Sequence, residues 1–386
     1  MRIIIAPDSF KGSLTAVEAA QAIDKGIKKA FAGAETVLLP IGDGGEGTME
    51  TLVAATGGRI QKVTVTGPLQ DQVEAAYGIL GDGKTCVVEM ASASGLHLVP
   101  EGQLAPLTAT TYGTGELIRS ALDDGFRSFI IGLGGSATND GGAGMLQALG
   151  MRLLDSEGHN IGFGGGSLNE VAAIDMASFD KRVPQSQFII ASDVQNPMIG
   201  PEGASHVFGP QKGASPKEVE TLDCHMAHWA DQIYKTTGTS LHGQPGAGAA
   251  GGIGGAFQAF FPSKMKRGVD VVLDYIGLNE ELKNTDLVIT GEGQVDSQTT
   301  FGKTPMGVAE RAKDQGVPTI IIAGSVGKGA EALHDFGVVS IHSIVNGPMS
   351  LKQAIERASE LIETAAEQVV RAYFHQSVTQ NGRLLV

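Results

Sequence analysis

Short runs of aliphatic and β-branched residues recur along the chain. Most lead into a glycine-rich stretch and then into apolar residues at helical spacing. Ile3-Ile4-Ile5 precedes Pro7-Asp8-Ser9-Phe10-Lys11-Gly12-Ser13, after which Ala16, Ala20, Ile23, Ile27 and Phe31 share one helical face. Thr15 and Glu18 have the spacing of a capping box at the start of that helix. Thr36-Val37-Leu38-Leu39 leads to Gly42-Asp43-Gly44-Gly45-Glu46-Gly47 and a helix carrying Met49, Leu52 and Val53. Phe129-Ile130-Ile131 leads to Gly132-Leu133-Gly134-Gly135-Ser136 and a helix around Met145 to Leu149. There Gly141-Gly142 would fall in the first turn. Leu287-Val288-Ile289 leads to Gly291-Glu292-Gly293, with Pro305 at a first helical position and Thr304 as its cap. Thr319 to Ile322 and Ile341 to Val345 are further strands, and a long amphipathic helix from Leu351 to Tyr373 closes the pattern.

Apolar strands without alternation, each followed by a helix, predict a parallel sheet covered on both faces. The middle of the chain differs. Val63 and Val65 alternate with polar residues, Tyr77–Leu80 and Thr85–Val88 flank a Gly81-Asp82-Gly83-Lys84 turn, and Met151–Asp155 with Ser156-Glu157-Gly158 predicts a second hairpin. The expected fold is α/β: a Rossmann-like parallel-sheet domain from residues 1–62, 105–150 and 285–386. A smaller mixed α/β domain from 63–104 and 151–284 is inserted into it, with the active site in the interdomain cleft. The Gly/Ala-biased stretch from Gly243 to Gly255 predicts either a hinge or a close helix–helix contact.

Composition narrows the function classes. Of 386 residues, 28 are Lys or Arg and 42 are Asp or Glu, a formal net charge of −14. That disfavours nucleic acid or an anionic membrane surface as partner. Cys86 and Cys224 are the only cysteines, too few for a disulfide scaffold and in keeping with a reducing, cytoplasmic setting. No apolar run reaches the ~20 residues of a membrane span. The 55 glycines follow no three-residue period and so argue for many tight loops rather than collagen.

Ligands of doubly wound sheets bind beyond the carboxyl ends of the strands, and the polar clusters fall there. Gly132, Gly134, Gly135, Ser136 and Asn139 lie in a candidate phosphate cradle, where glycines admit close backbone approach and helix-start N–H groups bind anions. Gly132, Gly134 and Ala137 also match a dinucleotide pattern, and a purely structural turn is a third reading. Gly302-Lys303-Thr304 resembles the end of a Walker A loop, but Ser297 stands where that motif needs glycine. Lys303, before a helix start capped by Thr304, is nonetheless a candidate phosphate contact, with a solvated surface lysine as the other reading. Asp8, Asp43, Glu46, Asp193, Glu292 and Asp296 each follow a strand. One acid alone would be a helix-terminal stabiliser, but six on one edge would repel without a cation. A Mg²⁺–nucleotide site is therefore expected, with one acid left to orient or deprotonate a hydroxyl. Cys224-His225-Met226-Ala227-His228 reads as a packed helix rather than a metal site.

The segments Ile5 to Ser13, Gly42 to Thr48, Gly132 to Gly142, Ser192-Asp193-Val194-Gln195-Asn196-Pro197 and Thr290-Gly291-Glu292-Gly293 with Asp296 to Pro305 resemble the bacterial glycerate kinases of the type 1 family, in order along essentially the whole chain. The resemblance implies two α/β domains with the active site between them. It also implies transfer of the γ-phosphoryl of ATP to D-glycerate with Mg²⁺, giving 2-phosphoglycerate, within organic-acid catabolism. Residue roles follow from chemistry. Asp193, Asp43 and Lys303 are the expected catalytic groups. Asp8, Ser9, Lys11 and Asn196 bind substrate. Gly132, Gly134, Gly135, Ser136, Asn139 and Thr304 bind nucleotide phosphates, and Asp296 and Glu292 hold the metal. Homo-oligomerisation and a 3-phosphoglycerate product stay open. More remote rivals are an NAD-dependent hydroxy-acid dehydrogenase and a non-enzymatic organic-acid binding protein.

Overall fold

In the computed structural model, which describes residues 1–42, 45 and 47–375, the chain divides into two units. One is Met1–Asp43 with Val272–Val386, and the other is Gly44–Val271.

The first unit holds a five-stranded sheet in the order Val338–Ser343, Thr319–Ala323, Leu287–Thr290, Arg2–Ile5, Glu35–Leu38, with every pairing parallel. Numbered along the unit, the strand order is 2-1-3-4-5, so the winding reverses between Arg2–Ile5 and Leu287–Thr290. Both faces are covered, as uninterrupted apolar strands require. Ile320 and Ile322 pack with Ile3, Ile5, Ile23, Leu361 and Ile362. Their neighbours Ile321 and Ala323 turn the other way, onto Met306, Ala309 and Leu333. Helix Ala16–Ala30 carries the expected capping box: Thr15 Oγ1 accepts the Glu18 N–H at 3.2 Å, and Glu18 Oε2 accepts the Thr15 N–H at 2.9 Å. It lies against helix Ala358–Tyr373 so closely that a Cβ on Gly26 would collide with the Glu363 carbonyl.

The second unit holds a six-stranded sheet in the order Ser263–Lys266, Gln187–Ala191, Ser128–Gly132, Thr85–Glu89, Gln72–Ile79, Arg59–Thr66. The first four run parallel, and the last two close antiparallel pairs, including the expected pairing across Gly81–Lys84. Helix Ala249–Phe260 overlaps the Gly/Ala-biased stretch, is kinked where Ala250, Gly251 and Gly252 take positive φ, and packs closely there against the loop before Ala143. A Cβ on Gly252 would sit 2.9 Å from the Gly141 Cα. Helix Pro216–Thr237 packs here too: Trp229 Nε1 donates to the Gly141 carbonyl at 3.1 Å, and ring nitrogens of His225 and His228 meet the Gly165 and Val171 carbonyls. No helix among the described residues is long and apolar enough to cross a membrane.

Several expectations are corrected. Ser128–Gly132 pairs with Thr85–Glu89 and Gln187–Ala191, not with the Arg2–Ile5 sheet, so residues 105–150 belong to the inserted unit. That unit starts at 44, ends at 271 and is the longer one. A buried apolar strand carries no label for its sheet, because any parallel partner satisfies it. The expected hairpin across Ser156-Glu157-Gly158 is present, with the Asp155 N–H donating to the His159 carbonyl and the Ile161 N–H to the Leu153 carbonyl, both at 2.9 Å, and Arg152–Leu154 has a second, unexpected antiparallel partner in the distant Ala173–Asp175. Lys303, not Thr304, is the cap of helix Thr304–Asp314. Gly141 and Gly142 precede their helix at φ 60 and 75, a conformation glycine adopts without strain, and the helix starts only at Ala143. The C-terminal helical stretch breaks at Arg357 into Leu351–Glu356 and Ala358–Tyr373.

Candidate active site

In the first unit the site grows from the point where the winding reverses, the place where an open parallel sheet splays its loops apart and admits ligands. The Asp8 N–H donates to the Gly291 carbonyl at 2.8 Å, which ties together the loops leaving the two strands that flank the reversal. Asp8 accepts the Ser9 N–H on Oδ1 at 2.6 Å and the Thr304 hydroxyl on Oδ2 at 2.6 Å. Glu292 accepts the Thr299 hydroxyl on Oε1 at 2.8 Å, and its Oε2 lies 3.8 Å from Lys303 Nζ. Lys303, at 38% side-chain exposure, starts helix Thr304–Asp314, whereas Glu292 is 12% exposed. A positive side chain and an N-terminal helix end therefore coincide on this rim, the combination that attracts phosphate. Lys11 is exposed in the same loop as Asp8, and Gly293 packs against its backbone.

Two first-unit candidates also have local partners. The Thr304 side chain is fully buried and its hydroxyl is spent on Asp8, so it steadies that carboxylate. Asp296 uses Oδ1 to cap the Gln298 N–H at 2.8 Å, and Oδ2 accepts the Gln294 amide at 3.0 Å. Asp43 and Glu46 lie outside the described residues.

In the second unit Glu89, Gly132, Ala191 and Lys266 stand level at the carboxyl ends of four adjacent parallel strands. Gly134 and Gly135 reach the surface just beyond, Gly135 at φ 70. Asp193 is exposed two residues past Ala191, and its Oδ1 accepts the Gly268 N–H at 3.2 Å. The dinucleotide pattern does not open a helix, because the loop runs on through Gly142. Asn139 is fully buried and gives its amide to Ser205 Oγ at 2.9 Å, and Asn196 gives its amide to the Glu202 carbonyl at 2.8 Å.

Three buried ionisable groups in this unit escaped the sequence reading. Lys212 is 1% exposed and donates to Ser136 Oγ at 2.7 Å and the Thr138 carbonyl at 2.6 Å. Burial lowers its pKa to about 7, opposed by the charge of Asp140. Asp140 is wholly buried and accepts from the Thr111 N–H and hydroxyl and from the Gly142 and Gly144 N–H groups. Desolvation still raises its pKa. Glu89 accepts the Met49 N–H at 2.7 Å, and desolvation raises it to about 7. A lysine between glycines in Gly209 to Gly213 was the one visible trace of Lys212, and burial is not written there.

A family model for the glycerate kinase family matches residues 3–374. The chain belongs to the glycerate kinase family. It is 52% identical to the glycerate kinase of Bacillus subtilis (strain 168) over 369 residues, covering 96% of this chain and 97% of that one. It is 48% identical to the glycerate 2-kinase of Escherichia coli (strain K12), again covering 96% and 97%. A crystal structure from Salmonella typhimurium LT2, provisionally named glycerate kinase 2, superposes with a TM-score of 0.89 at 46% identity, covering 98% of this chain and 99% of that one. Of the five segments quoted for the resemblance, four run on from strand ends, two in each unit, and the fifth, Gly42 to Thr48, lies partly outside the described residues.

Proposed function

We propose that this chain transfers the γ-phosphoryl group of ATP to the C2 hydroxyl of D-glycerate, releasing 2-phosphoglycerate and ADP. The observation that carries the reading is its 48% identity, along 96% of its length, to a protein named glycerate 2-kinase. In the reaction the glycerate oxygen bonds to the γ-phosphorus, the bond from that phosphorus to the bridging oxygen breaks, and the hydroxyl proton leaves. Transition states of this kind are loose, so positioning and charge neutralisation contribute more than proton removal.

The backbone N–H groups of Gly132 to Ser136 and the Lys303 ammonium serve the phosphates. Lys11 and Ser9 serve the glycerate carboxylate, with Asp8 steadying their loop. Asp193, held by the Gly268 N–H, accepts the proton of the attacking hydroxyl. Asp43 is the alternative acceptor. For Mg²⁺ the donor set is of the right chemistry, hard carboxylate oxygens. Mg²⁺ is commonly held by one or two carboxylates together with phosphates and water. Glu292 would hold it, with Asp296 beside it, and the ion when bound would neutralise phosphate charge. The enzyme works in the cytoplasm, with ATP and D-glycerate as its small-molecule partners.

Incubation with ATP, Mg²⁺ and D-glycerate, followed by phosphorus NMR, tests the reading. The expected product is 2-phosphoglycerate. A 3-phosphoglycerate signal would reassign the acceptor hydroxyl, and no phosphorylated glycerate at all would overturn the activity.

A further inference from the structure

Lys212 ends the short turn Pro210–Lys212 and is sealed from solvent, yet both oxygens that its Nζ holds are neutral and both belong to the loop following Ser128–Gly132. An ammonium has three N–H donors and burying it is costly, so the arrangement needs a reason. The loop itself supplies little internal bonding at this point. Thr138 Oγ1 and Asn139 Oδ1 are buried without hydrogen-bond partners. Beyond them the loop is anchored at Asp140, and before them Ala137 N–H reaches the Ser94 carbonyl at 2.9 Å and Gly135 O accepts from Leu96. The Lys212 ammonium therefore holds the stretch between those anchors.

The bond to Ser136 has a second consequence. A hydroxyl whose lone pair is taken by an ammonium keeps its own proton for another acceptor, and the charge behind it makes that O–H a stronger donor. Ser136 is 5% exposed, next to the exposed Gly135. The geometry points to Lys212 as a positioning residue for phosphoryl transfer: it locks the Gly132–Asn139 loop through Ser136 and Thr138 and aims the Ser136 O–H at a phosphate oxygen of the nucleotide. Lys212 does not touch the nucleotide; it conveys positive charge through Ser136. This deepens the reading of that loop as the phosphate cradle and rests on it.

Steady-state kinetics with ATP and D-glycerate varied separately test it on Lys212→Met, Ser136→Ala and the double variant, with the ligand-free melting of each recorded. Ser136→Ala is expected to lower kcat/KM for ATP by about 10²-fold, as for a lost oxyanion donor, and Lys212→Met by about 10- to 100-fold, as for a supporting partner. The double variant should be no worse than the poorer single one, because residues acting as a unit are not additive. KM for D-glycerate should stay within about twofold, which a general loosening of the fold would not spare. A folded Lys212→Met enzyme with wild-type kcat/KM beside an impaired Ser136→Ala overturns the role of Lys212 alone. Losses that multiply in the double variant do the same. Wild-type kinetics in both single variants overturn the cradle and the proposal together. Should Lys212→Met not fold, the ¹⁵N resonance of the Lys212 ammonium in the wild-type chain decides. ATP should shift it in the wild type and not in Ser136→Ala, and a resonance that ATP leaves in place overturns the proposal.

Discussion

Burial moves Glu89 and Lys212 in opposite directions for one reason: each charged form loses its water. For Glu89 the folded-state pKa of about 7 lies above the ordinary 4.5, so the folded chain holds more protons between those values. Stability then falls as pH rises through that window, is fully present below it, and levels off above about 7. Glu89→Gln cannot ionise. Urea denaturation from pH 5 to 8 should show the variant gaining on the wild type by on the order of 1–3 kcal/mol across that range, and a difference that does not change with pH would count against the raised pKa. Lys303 and Asp193 belong to the same scale. Lys303→Ala and Asp193→Asn should each lower kcat by about 10²-fold or more, and normal turnover in either removes that residue from the reaction. Candidate acids and the lysine were legible because polar residues after apolar strands are conspicuous. Glu89, Asp140 and Lys212 were not, since a buried ionisable residue has the same letters around it as a solvated one.

Elements whose reasons are local were readable from neighbouring residues. The capping box of helix Ala16–Ala30 needs only Thr15 and Glu18, three residues apart. Thr15→Ala should cost about 1 kcal/mol, read as a lower urea midpoint with an unchanged slope. Gly252 is the opposite case. It sits at φ 93 with Gly141 in the way of any Cβ, so Gly252→Ala should cost more than about 1–3 kcal/mol. Gly33→Ala, where a Cβ meets nothing, serves as the control expected to be near neutral. Midpoints that coincide for the two alanine variants would contradict the close contact. The second partner of Arg152–Leu154 was not legible, because Ala173–Asp175 lies far along the chain.

For the whole molecule, ATP with Mg²⁺ that binds only the folded chain stabilises it by mass action. At 100 times the dissociation constant the gain is ~2.7 kcal/mol. Melting should therefore rise with ATP and Mg²⁺, and EDTA should abolish turnover and part of that rise. Full activity in EDTA would exclude the proposed role of Mg²⁺. By itself the chain's letter pattern determined its α/β class, the strand–loop–helix rhythm, the capped start of helix Ala16–Ala30 and the family chemistry, since all of these are properties of consecutive residues. Which strands share a sheet, where one unit gives way to the other, and which side chains lose their water were decided by tertiary structure alone. An apolar strand such as Ser128–Gly132 can bond equally well to any parallel neighbour, and only the packing of the whole chain selects Thr85–Glu89 and Gln187–Ala191 and draws Lys212 beneath the loop that follows.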